Sequence, residues 1–81
     1  MEDHYLTSEA SGPEGAKAKA WFLNRECGYN ILRIEHTMIP QSGSLATPYA
    51  PNYGRRERGY RITVDMRPER FSDYIPDIVN A

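Results

Sequence analysis

The stretch Gly59-Tyr60-Arg61-Ile62-Thr63-Val64-Asp65-Met66-Arg67-Pro68-Glu69-Arg70-Phe71-Ser72 passes from strict alternation into an arginine-rich segment punctuated by proline. Tyr60, Ile62, Val64 and Met66 fall on one side of an extended chain and Arg61, Thr63, Asp65 and Arg67 on the other, the pattern of a half-buried strand or an extended loop. Pro68 ends that regularity. Arg67 and Arg70 carry planar guanidinium forks that hold carboxylates or carbonyls in fixed geometry, and Asp65 and Glu69 are close enough in sequence to be their partners.

Upstream, Ile31-Leu32-Arg33-Ile34-Glu35-His36-Thr37-Met38-Ile39 is a second strand-like run, with Leu32, Ile34, His36 and Met38 alternating against Arg33, Glu35 and Thr37. Pro40 closes it. Between the two runs, residues 40–58 hold three prolines, Gly43, Gly54, Tyr49 and Tyr53 and read as a long loop. Before the first run, Pro13, Glu14 and the alanines at 16, 18 and 20 predict a helix from about Pro13 to Cys27. Ala16, Ala20, Leu23 and Cys27 form its apolar stripe, with Trp21 or Phe22 widening it. Lys17, Lys19, Asn24 and Arg25 face water, and Gly28 supplies the left-handed stop.

Residues 1–12 are polar and predict a flexible N-terminal tail, leaving 13–81 as a single small domain. The segment from Phe71 to Val79 has enough apolar side chains to dock back on the core, as a short helical turn and an extended end. The expected fold is α+β: one amphipathic helix on a two- to three-stranded sheet, Leu32, Ile34, Met38, Ile62 and Val64 meeting Leu23 and Trp21. So few strands leave an edge open to a C-terminal strand, a partner or a second copy of the chain.

Composition narrows the function. Eighty-one residues make one domain near the size at which a single apolar core suffices. A net charge of −1 argues against a generally basic nucleic-acid binder, and one cysteine and two histidines do not make a metal motif or a disulfide framework. No leader and no bilayer-length apolar run is visible, so the chain reads as soluble and intracellular. An enzyme is not expected: neighbours Glu35 and His36 point to opposite faces of a strand, and Cys27 reads as a small core hydrophobe. No cofactor is implied.

The positions Gly59-x-x-Ile62-Thr63-Val64-Asp65-Met66-Arg67-Pro68-Glu69-Arg70-Phe71 resemble the reactive-loop segment of the potato inhibitor I type of serine protease inhibitors, especially their small microbial relatives. The upstream order, helix then strand, is similar too. The resemblance implies a protein-binding domain whose partner is a serine protease. Thr63, Val64, Asp65 and Met66 would be the reactive loop, Val64 would enter the specificity pocket, and Arg67 and Arg70 would brace the loop from behind. Binding through a loop already held in substrate form loses little entropy.

Two other readings come from the residues alone. Tyr49, Tyr53, Arg55, Arg56 and Arg58, with Tyr60 and Arg61, combine stacking rings with cations, as single-stranded nucleic acid requires, and residues 55–70 carry a local surplus of three positive charges. Tyrosine and arginine equally anchor protein interfaces, so the same loop or a sheet edge could dock an accessory protein on a larger partner.

Overall fold

The computed structural model describes residues 4–40 and 56–81 and contains β1 (Tyr5–Ala10), α1 (Pro13–Arg25), β2 (Asn30–Pro40), β3 (Arg56–Asp65) and β4 (Ile78–Asn80). The sheet order is β1-β3-β2-β4. β3 runs antiparallel to both β1 and β2, and β4 runs parallel to β2. β1 and β2 therefore point the same way, and two parallel strands need a crossover between them. α1 is that crossover, with β3 inserted between the strands it joins.

α1 starts where expected, with Pro13 in its first turn, Glu14 beside the positive end of the dipole and Ala16 N–H bonded to Gly12 C=O at 2.9 Å. It stops in an αL cap with Gly28 in the left-handed position. Tyr29 N–H reaches back to Leu23 C=O at 3.1 Å and Gly28 N–H to Asn24 C=O at 3.2 Å, which requires the left-handed φ of 78° that Gly28 adopts.

Ala16 and Ala20 are fully buried against Ile31, Ile34, Ile62 and Val64. Small side chains at those two positions let the helix lie close over the sheet, and Leu23, Tyr29, Tyr60, Met66, Ile75 and Ile78 pack around this centre.

The structure amends the sequence reading in five places. The expected two- to three-stranded sheet has four strands. Residues 5–10, read as part of a flexible tail, form the edge strand β1. The register shifts between Ile31 and Arg33, so Leu32 is an extra, unpaired residue. This bulge lets Ile31 and Ile34, three apart, both face α1 and turns Leu32 to solvent. Trp21, Phe22, Met38 and Cys27 are exposed rather than core, whereas Asn24 is buried. No helical turn forms between Phe71 and Asp77; that segment is irregular and leads into β4.

The face of the sheet away from α1 is polar. Arg33 and Glu35 pair at 2.9 Å, and Arg61 stands 3.8 Å from Glu9 on the neighbouring strand. Gly59 is fixed on that face by contact: a Cβ there would run into the Ile39 side chain and lie 3.0 Å from the Ala10 carbonyl oxygen. Ile39 is thereby buried over the glycine.

Candidate protein-docking surface

The residues read as a reactive loop are not on a loop. Thr63, Val64 and Asp65 lie in β3, an interior strand, each paired on both sides: Thr63 with Thr7 and Arg33, Val64 with Leu6 and Ile31, Asp65 with Tyr5 and Asn30. Val64 is 0% exposed and faces the helix. A protease grips an extended segment by its free backbone and inserts a side chain into a pocket. Here the backbone is committed to two neighbours and the Val64 side chain to the core, so the Val64–Asp65 bond is not presented. Met66 follows the strand and packs against the core, its N–H bonded to His4 C=O at 2.7 Å.

The alternation that suggested a presented segment is the same alternation a central strand shows. Only its neighbours distinguish the two, and one of them, β1, was read as tail. Arg70 is exposed and serves the fold through its carbonyl, which accepts from Asn30 Nδ2 at 2.9 Å. Arg67 gives its backbone N–H to Asp65 Oδ1 at 2.9 Å, an Asx turn that ends β3.

Asp65 holds a second partner at this corner. His4 Nδ1–H donates to Asp65 Oδ1 at 2.7 Å, tying the start of β1 to the end of β3. The His4 hydrogen bond first and the Arg67 N–H second hold the Asp65 carboxyl below its ordinary 3.8, against a smaller opposing effect of partial desolvation. A carboxylate depressed in the folded state adds stability above its unfolded pKa and loses it as pH falls through the folded value. The difference in urea midpoint between the wild-type chain and Asp65→Asn is therefore expected to favour the wild type at neutral pH and to shrink below pH 3.8. A difference constant through the acid range would remove the Asp65 charge from this account.

Of the tyrosine–arginine cluster, Tyr49, Tyr53 and Arg55 lie outside the described residues. Arg56 opens β3 opposite Pro40. Arg58 is exposed and its Nη2 donates to His36 Nδ1 at 3.3 Å, while the His36 ring stacks on Tyr60 at 4.6 Å. These contacts join β2 to β3. Among the described residues no cluster of His, Cys, Asp and Glu could hold a metal ion, and no helix is long and apolar enough to cross a membrane.

A different surface is built by residues the sequence did not single out. Asn24, fully buried, donates from Nδ2 to Tyr29 C=O at 2.7 Å and to Ser72 C=O at 2.9 Å, while its Oδ1 accepts from Arg25 Nε at 3.0 Å. Arg25 Nη2 reaches Asp73 C=O at 3.4 Å, and its guanidinium lies 5.4 Å from the Trp21 ring. Asn30 closes the attachment, its Oδ1 accepting from Ser72 N–H at 2.9 Å. The last two turns of α1 and residues 70–73 are thus bound together through polar groups.

That leaves the rings outside. Trp21 is 51% exposed on the helix, and Phe71 and Tyr74, which bracket the attached residues, are 51% and 67% exposed. Trp21 beside the Arg25 guanidinium, with exposed Phe71 and Tyr74 on either side of the residues that this arginine and Asn24 hold, is of the composition that anchors protein interfaces. The spacing Ala16, Ala20, Asn24 places Asn24 on the buried stripe, and that regularity was the available signal for it; nothing in the sequence marks Ser72 or Asp73 as its partners.

No protein-family model, curated protein or solved structure matches the chain.

Proposed function

We propose that this chain is a non-catalytic protein-binding domain that docks on a larger partner through the face formed by Trp21, Arg25, Phe71 and Tyr74. The observation that carries the reading is the polar lock of Asn24 and Arg25 onto residues 72 and 73, which fixes that face while leaving its rings in water. Rings held in place before binding lose little freedom when a partner covers them, so most of the burial energy goes into affinity. The partner this chemistry fits is a folded protein with an apolar pocket. The presented-bond form of protein binding has no support from the burial of Val64, and docking by a preformed aromatic face replaces it.

The test uses the full chain as bait in an extract of its own source, with Trp21→Ala and Tyr74→Ala beside the wild type. One partner is expected to be retained by the wild type and to bind each variant at least about thirtyfold more weakly, since central aromatic anchors carry about 2 kcal/mol or more. The exposed positions leave the far-ultraviolet spectrum unchanged. Equal retention by all three proteins would overturn the reading.

A further inference from the structure

α1 has the sheet on one side, and a helix so placed normally carries polar residues on the other. Here the outer side departs from that rule. At about 100° per residue, the side opposite buried Ala16, Ala20 and Asn24 holds Glu14, Ala18, Phe22 and Arg25, with Trp21 on its flank. All five are exposed, Trp21 by 51% and Phe22 by 53%. Two large rings therefore stand in water around an alanine, with an acid toward one end of the helix and a base toward the other.

We infer that this face pairs with itself: α1 packs antiparallel against α1 of a second copy, about a two-fold axis at the level of Ala20. Ala18 and Phe22 lie equally far to either side of that level, so each Phe22 ring sits over Ala18 of the other copy. Glu14 and Arg25 lie further out on opposite sides, so the carboxylate of each copy comes within one residue's rise, about 1.5 Å along the axis, of the guanidinium of the other. Large meets small and acid meets base under one axis. A parallel pair in register does neither, since it sets Phe22 on Phe22 and Arg25 on Arg25.

The local structure suits each contact. Ala18 lets the helix axes approach to about 8–10 Å, the spacing of closely packed helices. Arg25 is placed in advance: Asn24 Oδ1 holds its Nε at 3.0 Å and Asp73 C=O its Nη2 at 3.4 Å, which leaves further N–H donors of the fork for a carboxylate. Glu14, in the first turn, makes no ion pair among the described residues.

The axis is perpendicular to the plane of the two helices and so relates like flanks. Both Trp21 rings then lie on the same side of the helix pair, the side to which residues 72 and 73 are bound. The dimer is independent of the docking reading above, but its consequence rests on that reading: two docking faces stand side by side and engage a repeated partner with avidity.

Sedimentation equilibrium of the full chain, from low micromolar to hundreds of micromolar, tests the pairing without any partner. The wild type is expected to be a reversible dimer, and Phe22→Glu, at an exposed helix position, a monomer with an unchanged far-ultraviolet spectrum. Ala18→Phe adds exposed apolar surface, which strengthens non-specific association, yet here it collides with Phe22 of the second copy and is expected to give a monomer. Ala18→Phe/Phe22→Ala exchanges large for small and is expected to restore the dimer. Glu14→Gln removes the exposed pair at both ends and is expected to raise the dissociation constant about fivefold. A wild type that stays monomeric throughout, an Ala18→Phe variant that associates more tightly, or a size exchange that fails to restore the dimer would each overturn the inference. The docking reading is judged separately, because Phe22→Glu keeps Trp21, Arg25, Phe71 and Tyr74 and is expected to hold the partner at single-site affinity.

Discussion

Val64→Asp is expected to unfold the protein. The wild-type side chain is fully buried on an interior strand, among Ile31, Ile34, Ile62 and the two alanines of α1, where a carboxylate finds no cation. Ionised, it carries an unpaired charge into the core; protonated, it still leaves unsatisfied polar atoms and removes apolar contact. Either form costs more than about 4 kcal/mol, out of the roughly 4–12 kcal/mol that a chain of this length has to lose at about 0.05–0.15 kcal/mol per residue. Far-ultraviolet circular dichroism and the urea transition report the outcome. The same substitution on a presented loop would abolish inhibition and leave the fold untouched, so a cooperative, near-wild-type transition in Val64→Asp would return these residues to the surface. In the wild-type chain, the Val64–Asp65 bond is expected to stay uncut under an elastase-like or subtilisin-like protease for as long as the sheet is intact, as mass spectrometry of the fragments would show.

How far the sequence reveals this fold depends on whether a signal is local. The helix is legible because Pro13, the alanines and Gly28 act within a few residues of where they stand, and the capping bonds at Gly28 and Tyr29 are wholly local. β2 and β3 are legible by alternation. β1 is not: six residues with Leu6 and Ala10 as their only aliphatics carry no strong pattern, and their order comes from the edge of β3 and from the His4–Asp65 bond, sixty-one positions apart. β4, three residues long, is likewise ordered by β2. The bulge at Leu32 is invisible to a period-two reading, which instead places Leu32 inside and Ile31 outside.

The candidate site fared differently for the same reason. Whether Thr63 to Asp65 are presented or buried is decided by strands on either side, both earlier in the chain, and no spacing within the segment can tell. Asp65 was read as a partner for arginine, and it does hold Arg67, but through the backbone N–H rather than the guanidinium fork. Trp21 and Phe22 illustrate the converse. The stripe of Ala16, Ala20 and Leu23 is legible, yet whether a bulky neighbour widens it depends on the breadth of the sheet beneath, and both rings remain half exposed.

Asn24→Ala is the second large effect expected, and it joins the fold to the proposed docking face. The amide of Asn24 is the only buried polar side chain among the described residues, and it bridges the helix, the turn at Tyr29 and the segment at Ser72. Removing it leaves two carbonyls without their donor and Arg25 Nε without its acceptor. An unsatisfied buried group costs about 1–3 kcal/mol, so the truncation is expected to lower stability by about 2–4 kcal/mol in a urea titration. Residues 71–74 are then attached to α1 through Arg25 and Asp73 alone, with the Asn30 bonds to Arg70 and Ser72 remaining on β2, and the segment that carries Phe71 and Tyr74 is held less firmly to the helix that carries Trp21. Partner binding should fall with it even under conditions where the variant remains folded. Asn24→Asp separates the two causes: its carboxylate retains the acceptor for Arg25 while lacking both donors to Tyr29 and Ser72. If the docking face depends on the Ser72 attachment, Asn24→Asp binds the partner as weakly as Asn24→Ala; binding at wild-type strength in either folded variant would show that the rings act without that lock.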